Sequence, residues 1–247
     1  MTRAAAHRPL VGIMCCNEFS DRAVQAVATR FVRPLARLSQ ANPVLVPAVP
    51  DAADLDSLAD MLDGLLLTGS RSNVAASRYG GISQEGPIDT QRDEVALSLS
   101  SRMIERGKSV FGICRGLQEL NVLFGGTLRN LEGDHHHAAE REGQSYESIF
   151  EHWHDVQLSR DSVWNGVVEK SISVTSAHRQ GIDELGYGLK AEAISDDGVI
   201  EAISAKNVDA SVFAVQWHPE ISAEDSEVSR TFYTLLGESL RHDAKLI

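Results

Sequence analysis

Short apolar runs alternate with longer stretches of helical spacing through the first half of the chain. Near-continuous apolar runs, typical of strands that are buried on both faces of a parallel sheet, are Leu10–Met14, Val44–Val46, Leu65–Leu67 and Val110–Ile113. Between them, apolar residues recur three or four positions apart over Val24–Leu38 and Val95–Ile104, which predicts two helices. This alternation favours β-α-β crossovers and an α/β fold.

The second half carries shorter strand candidates that suit antiparallel pairing. They are Val156–Leu158, Ile172–Val174, Leu189–Ile194, Val199–Ile203 and Val212–Trp217. Ser-Asp-Asp-Gly at 195–198 is a hairpin signal, and Glu224–Leu240 has the pattern of a closing helix. Asn130–Trp153 is rich in charges and histidine and predicts a long surface excursion. We therefore expect an α/β core with a small antiparallel addition.

Length and charge narrow the function classes. The 247 residues contain no repeat or linker, so we predict a single domain over 1–247, with a flexible N-terminus over 1–8. A net charge of −12 argues against nucleic acid or anionic lipid as a partner. No apolar run reaches the roughly 18 residues of a membrane span, and no secretory signal is recognisable, so we expect a cytoplasmic protein. The pattern leaves a homodimer open.

One strand candidate runs directly into a glycine-flanked cysteine. The sequence is Gly112-Ile113-Cys114-Arg115-Gly116, followed by a helical pattern. Glycine two positions before and after a nucleophile avoids crowding in a tight strand-to-helix turn, as in a nucleophile elbow. The turn exposes the sulfur at the carboxyl edge of the sheet, where the helix N-terminus favours the thiolate. Cys114 is our candidate nucleophile; the alternative is a small buried hydrophobe.

A second strand candidate ends in a base. Val212–Trp217 leads into His218, Pro219 and Glu220. Side chains two residues apart in an extended segment point the same way, so Glu220 can orient the His218 imidazole. Together with Cys114, these residues predict a Cys-His-Glu triad.

These motifs resemble the class I glutamine amidotransferase superfamily and, within it, the peptidase C26-type hydrolases. The motifs that carry the resemblance are Gly-Ile-Cys-Arg-Gly-Leu-Gln-Glu-Leu at 112–120, Val-Gln-Trp-His-Pro-Glu at 215–220, Leu-Thr-Gly-Ser at 67–70, Ser-Ala-His-Arg-Gln-Gly at 176–181 and Asp-Gly at 197–198. The likeness spans nearly the whole chain. It implies a flavodoxin-like fold, with a mainly parallel central sheet and helices on both faces.

The resemblance also implies roles for individual residues. The backbone N–H groups of Gly69 and Arg115 would hold an oxyanion, and Gln118, Ser176 and His178 would contact the substrate. No cofactor is expected, because a thiol, an imidazole and oxyanion donors cover every step.

The implied reaction is hydrolysis of the γ-glutamyl amide bond of a small γ-glutamylated amine through a γ-glutamyl thioester. The first choice of substrate is γ-glutamyl-γ-aminobutyrate in polyamine (putrescine) catabolism. Thr175 stands where relatives have Asn, which leaves the leaving amine open. The alternatives are another γ-glutamyl amine, such as a γ-glutamyl polyamine or anilide, the glutaminase subunit of an amidotransferase, and a non-catalytic γ-glutamyl binding module.

Other polar residues give weaker signals. The histidines between 135 and 154 are His135, His136, His137, His152 and His154. Consecutive histidines alternate in direction and no His-Glu-x-x-His motif accompanies them, so we expect no metal and a solvated loop beside the substrate. Arg71 and Arg92 are candidates for binding a substrate carboxylate, with surface ion pairing as an equal alternative. One of Cys15 and Cys16 has a place at the active-site edge, but packing or incidental exposure is the favoured interpretation because no base motif is tied to them.

Overall fold

The computed structural model describes residues 7–82, 85–137, 147–166 and 168–241. Its strands are β1 (Leu10–Met14), β2 (Cys16–Phe19), β3 (Ala23–Ala26), β4 (Asn42–Val46), β5 (Gly64–Leu67), β6 (Ser109–Ile113), β7 (Leu128–Asn130), β8 (Trp153–Leu158), β9 (Ser171–Thr175), β10 (Gln180–Ile182), β11 (Leu189–Ser195), β12 (Ile200–Ala205) and β13 (Val212–Val215). Its α-helices are α1 (Thr29–Arg37), α2 (Leu55–Met61), α3 (Thr90–Glu105), α4 (Arg115–Leu123) and α5 (Glu227–Ser239). Residues 1–6 of the expected flexible N-terminus lie outside the described ranges.

One mixed sheet joins strands from both halves of the chain. Its order is β4-β1-β5-β6-β13-β12-β11-β8-β9. The first five strands are parallel and follow the flavodoxin order, whereas the remaining four pair antiparallel. The predicted fold class is confirmed, and the antiparallel addition is four strands wide. In sheets of this kind, ligands bind beyond the carboxyl ends of the parallel strands.

Helices cover both faces of the sheet, as expected. On one face, Leu99 of α3 and Leu117 of α4 pack in a cluster with Val110. On the other face, residues of α1 and α5 pack in a second cluster that includes Phe111 and Phe213. Neighbouring residues of β6 thus serve opposite cores, because successive side chains of a strand alternate. Each fully buried side chain of this size contributes roughly 1.5–3 kcal/mol.

The first predicted helix begins later than its apolar spacing indicates. Residues 23–26 form strand β3, which pairs with β2 as a hairpin, and α1 begins only at Thr29. The prediction that Val24 belongs to a helix is therefore wrong. Tertiary contacts stabilise the hairpin, because the Gln25 Oε1 atom accepts a hydrogen bond from the Ala48 backbone N–H at 2.7 Å. Pro34 lies within α1, which continues to Arg37.

Two further features lie outside the main sheet. Strands β7 and β10 form a separate two-stranded sheet that connects the segment after α4 to the turn after β9. Residues Glu147–Glu151 form a 3₁₀ helix. None of the helices in the described ranges combines the length and apolar composition that a bilayer span requires.

Candidate active site

Cys114 lies in a strained turn between β6 and α4. Its backbone has φ 52° and ψ −103°, in a region that residues other than glycine rarely adopt. The Cys114 N–H donates to the Val215 carbonyl at 2.8 Å, which fixes the turn against β13. The geometry matches the predicted nucleophile elbow.

The two flanking glycines allow backbone to pack on backbone. A Cβ atom added to Gly112 would lie 2.6 Å from the carbonyl carbon of Gly116 and 2.7 Å from its oxygen. A Cβ atom on Gly116 would in turn collide with the Leu67 backbone of β5. The crowding predicted for side chains at these positions is therefore present.

His218 and Glu220 form a buried pair at the end of β13. The His218 Nδ1 atom lies 2.8 Å from Glu220 Oε1, and both side chains are almost fully buried. Burial lowers the pKa of His218, but the negative charges of Glu220 and Cys114 outweigh that effect and raise it to about 10. The other ring nitrogen, Nε2, is buried without a hydrogen-bond partner among the described residues.

Gly69 marks the point where the cysteine and histidine side chains meet. A Cβ atom on Gly69 would lie 3.1 Å from His218 Cε1 and 3.5 Å from Cys114 Cβ. The two side chains therefore flank the turn after β5. The first backbone N–H groups of α4, beginning at Arg115, have no intrahelical partner because of their position in the helix. The predicted oxyanion donors, Gly69 and Arg115, thus adjoin the candidate nucleophile.

A buried ion pair supports the Gly69 turn. Arg92 of α3 is fully buried, and its Nε donates to Glu119 Oε1 of α4 at 2.9 Å. The same guanidinium donates to the carbonyl and the hydroxyl of Thr68 and to the Cys16 sulfur. The suggestion that Arg92 binds a substrate carboxylate is therefore wrong, because its donors are used inside the protein. Cys16 is the cysteine that faces the site.

The Arg115 side chain is also anchored away from the elbow. Its guanidinium donates to Ser72 Oγ at 2.6 Å and pairs with Asp93 Oδ1 at 2.5 Å. Burial raises the pKa of Asp93, and the Arg115 charge opposes that rise. Arg115 can therefore offer its backbone N–H to a substrate while its side chain fixes the first turn of α4.

Two residues near the histidine escaped the sequence analysis. Phe150, from the 3₁₀ helix, contacts the His218 ring edge to face with centroids 4.8 Å apart. The Arg30 guanidinium lies 4.7 Å from the Phe150 ring centre, and its Nε lies 3.7 Å from Glu220 Oε1. Phe150 belongs to the segment predicted as a surface excursion, and no local pattern marks it as a contact of a strand end 68 positions later.

A cavity of about 700 Å³ opens over these groups. It is lined by six of the predicted site residues and by several charged side chains. The predicted residues are Gly69, Cys114, Arg115, Gln118, His178 and His218, and the other charged ones are Glu18, Arg30, Arg71, Glu85 and Arg179. Arginines outnumber carboxylates there, so the lining favours anionic groups although the chain is acidic.

The remaining predicted residues occupy different positions relative to the cavity. Gln118 lines it, and its amide nitrogen donates to the Gln180 carbonyl at 2.7 Å. Ser176 is fully buried and donates to the His136 carbonyl at 2.7 Å. The structure does not bring Ser176 to the cavity wall, whereas His178 does line it.

The histidine-rich segment is only partly solvated. His135 is exposed, but His136 and His154 are buried around Glu201 of β12, so the expectation of a solvated loop is wrong for these two residues. Burial raises the pKa of Glu201, but the neighbouring imidazoles outweigh that effect and hold the pKa well below its usual value. Residues 138–146 of the predicted excursion lie outside the described ranges.

Sequence and structure comparisons match most of this chain to known proteins. The chain is 31% identical to the γ-glutamyl-γ-aminobutyrate hydrolase PuuD of Escherichia coli K12, over 92% of this chain and 91% of that protein. It is 28% identical to protein NtpR of Enterococcus hirae, over 91% and 96% of the two chains. The structure resembles a glutamine amidotransferase of Thermotoga maritima with a TM-score of 0.62 at 14% identity, covering 96% and 100% of the chains.

The family assignment rests on the match of most of the sequence. Residues 9–220 match the peptidase C26 family, and this range contains the elbow, the Gly69 turn and the His218–Glu220 pair. The solved structure shows the same class I glutamine amidotransferase-like fold. This chain therefore belongs to the peptidase C26 family.

Proposed function

We propose that this chain hydrolyses the γ-glutamyl amide bond of a small γ-glutamylated amine, with Cys114, His218 and Glu220 as its catalytic triad. Membership of the peptidase C26 family makes the chain a cysteine-type hydrolase of carbon–nitrogen bonds. The observation that carries the residue assignment is the meeting of the Cys114 and His218 side chains at Gly69, with Glu220 bonded to the far nitrogen of the imidazole.

The first step is attack by sulfur on the γ-carbonyl carbon. A protonated His218 stabilises the Cys114 thiolate, and the raised pKa of His218 keeps the imidazole protonated at neutral pH. The sulfur forms a bond to carbon while the carbonyl electron pair moves onto oxygen. The N–H groups of Gly69 and Arg115 then hold this oxyanion, and each donor contributes about 3 kcal/mol to transition-state stabilisation.

The second step expels the amine. The oxyanion re-forms the carbonyl, the carbon–nitrogen bond breaks, and the His218 Nε2 proton passes to the leaving nitrogen. The products at this stage are the free amine and a γ-glutamyl thioester on Cys114. His218, now neutral, takes a proton from water, the hydroxide displaces sulfur, and glutamate leaves.

Glu220 and its neighbours keep the imidazole in one orientation. The 2.8 Å contact with Nδ1 fixes the tautomer and leaves Nε2 for the sulfur and the amine. Phe150 packs on the ring, and Arg30 Nε lies 3.7 Å from the same Glu220 oxygen that faces the imidazole. These contacts hold the His218 ring in one position while it transfers protons.

The finer assignment is the substrate γ-glutamyl-γ-aminobutyrate. This molecule carries a carboxylate at each end, and the cavity presents Arg71 and Arg179 besides the groups around the elbow. A γ-glutamyl polyamine would bring a cationic tail to the same arginines, which is less favourable. The 31% identity to the PuuD hydrolase supports the same choice.

The test is a panel of substrates assayed for glutamate release. We expect the purified chain to prefer γ-glutamyl-γ-aminobutyrate over γ-glutamylputrescine, a γ-glutamyl anilide and glutamine. Cys114→Ala should abolish release from all of them, whereas Cys15→Ala, at a buried cysteine outside the cavity, should retain it. Full turnover by Cys114→Ala would refute the proposed nucleophile.

The panel also separates the other candidate functions. Glutaminase activity that appears only with a synthase partner would identify an amidotransferase subunit. Binding of γ-glutamyl amides by calorimetry, with no glutamate formed, would identify a non-catalytic binding module.

A further inference from the structure

Four buried side chains from four separate segments meet beside the cavity, and we call them the histidine cluster. They are His136 after β7, His154 in β8, His178 between β9 and β10, and Glu201 in β12. Their exposed fractions are 2%, 7%, 4% and 0%. The proposed reaction uses none of these imidazoles to move protons, so the cluster requires a separate explanation.

One nitrogen of each ring faces the same carboxylate oxygen. The distances to Glu201 Oε1 are 3.2 Å from His136 Nδ1, 3.6 Å from His154 Nε2 and 3.4 Å from His178 Nε2. Within the described part of the chain, these three nitrogens and both Glu201 oxygens are buried without a hydrogen-bond partner. Buried polar atoms without partners are rare and costly.

The far nitrogens of two rings determine what faces Glu201. His136 Nε2 lies 2.8 Å from Asp197 Oδ2, and His178 Nδ1 lies 3.1 Å from the Gln180 carbonyl. Both partners only accept hydrogen bonds, so in a neutral ring the proton lies on the nitrogen that faces the partner. The opposite nitrogen then offers a lone pair to a metal ion. Without a metal, that nitrogen must carry a proton to face the Glu201 carboxylate, so a bound cation takes the place of protons at this position.

We propose that the histidine cluster binds one divalent transition-metal ion of the zinc type, through one nitrogen each of His136, His154 and His178 and through the Glu201 carboxylate. Zinc lies about 2.0–2.1 Å from nitrogen and oxygen ligands, which places tetrahedral ligands about 3.3 Å apart. The separations of 3.2–3.6 Å between Glu201 Oε1 and the three nitrogens match that spacing. The ligating atoms of His136, His178 and Glu201 all lie within 4.8 Å of one another, and His154 forms a second such group with His135 and His136.

The surroundings complete the pattern of a structural metal site. Asp197 and the Gln180 carbonyl orient two of the ligating rings, as outer partners do at zinc sites. Four protein ligands close the coordination shell and leave no position for substrate. The ion would join the segment after β7, strand β8 and the turn at His178 to β12. Because His178 lines the cavity, metal binding would fix one wall of the active site.

The experiment uses the full-length Cys114→Ala chain, so that the thiol cannot act as a ligand. After treatment with a chelator, the protein is titrated with Zn²⁺ by calorimetry and with Co²⁺ by visible spectroscopy. We expect one ion per chain, the strong visible bands of tetrahedral Co²⁺ without a sulfur charge-transfer band, and a higher melting temperature in the presence of Zn²⁺. Failure of the unaltered cluster to take up either ion would overturn the proposal, whether or not the variants below fold.

Variants then test the ligand set. Glu201→Gln and His154→Gln should each weaken Zn²⁺ binding by at least about 10-fold, the lower end of losses seen at metal sites. His7→Gln, at an exposed histidine outside both groups of candidate ligands, is the control and should bind as before. Loss of binding in His135→Gln together with retention in Glu201→Gln would overturn the assigned ligands. A cluster held by protons alone would show no Co²⁺ bands at all.

Discussion

The Arg92 guanidinium and the Glu119 carboxylate lie 2.9 Å apart, fully buried, and join α3 to α4 behind the Gly69 turn. Because Arg92 also donates to the Thr68 carbonyl, the pair fixes the residue that precedes Gly69. The relationship therefore connects the stability of the chain to the geometry of its proposed oxyanion donors.

Removing one partner of this pair should be costly. Glu119→Gln leaves a buried charge without compensation, and we expect the free energy of unfolding to fall by about 3–5 kcal/mol. Urea denaturation measures the change. The matched control is Glu94→Gln, which breaks the partly exposed Arg78–Glu94 pair at 2.8 Å and should cost less than about 1 kcal/mol. Equal losses in the two variants would contradict the role assigned to the buried pair.

A side chain at position 69 should impair catalysis more than folding. Gly69→Ala places a methyl group 3.1 Å from His218 Cε1, which must displace the imidazole by a few tenths of an ångström or more. We expect kcat to fall by roughly 10- to 100-fold, since small misplacements of a catalytic group are expensive.

The control for Gly69 is a glycine at which a side chain would strain the backbone but would touch no other residue. Gly125 has φ 82° and open space around it, so Gly125→Ala should cost about 1–2 kcal/mol of stability and leave kcat unchanged. Normal kcat in Gly69→Ala would show that the turn does not adjoin the reacting groups.

The pH dependence of stability should report on His218. Burial lowers the pKa of His218, but the charges of Glu220 and Cys114 outweigh that effect and raise this pKa from 6.5 to about 10. A pKa raised in the folded state adds stability that is complete below about pH 6.5 and is lost as the pH rises through about 10. We therefore expect the melting temperature to fall between about pH 7 and 10. In Glu220→Gln the fall should be smaller, because one source of the raised pKa is gone.

Calorimetry across that range and the imidazole Cε1–H resonance together measure this effect. Glu224→Gln is the control, since Glu224 pairs with Arg37 at the exposed surface, away from the imidazole. A His218 resonance that titrates identically in Glu220→Gln and in the unaltered chain would rule out this coupling.

Arginines at the cavity should discriminate between leaving amines. If Arg71 or Arg179 binds the carboxylate of γ-aminobutyrate, replacement by glutamine raises KM for γ-glutamyl-γ-aminobutyrate by about 10-fold or more, the loss expected for one charge-assisted hydrogen bond. The KM for a γ-glutamyl alkylamine without that carboxylate should change much less. Steady-state kinetics on both substrates shows which end of the substrate the arginine binds. An arginine that contacts the glutamyl end would raise the KM of both substrates when it is replaced.

The positions of Cys114, His218 and Glu220 could be predicted because their sequence signals are local, while their catalytic roles stay a proposal. Glycines around Cys114 and the spacing of His218 and Glu220 specify a turn and a shared direction, and parallel strands bring both to one edge of the sheet. Tertiary contacts with no sequence signature determine the rest. Phe150 reaches His218 from a distant segment, and the burial of His136 depends on the position of β12. The cytoplasmic location and the homodimer stay predictions.

Strand β13 lies between the two halves of the sheet, and this position affects the order in which the sheet forms during synthesis. It pairs with β6 on one side and β12 on the other, so it alone connects the parallel half of the sheet to the antiparallel half, and it ends just before His218. During synthesis, the cysteine and most of both half-sheets emerge from the ribosome before their connector, with two open strand edges in the meantime. A nascent chain therefore acquires His218 and the connection between its two half-sheets in the same event, and a product that stops before β13 lacks the proposed base.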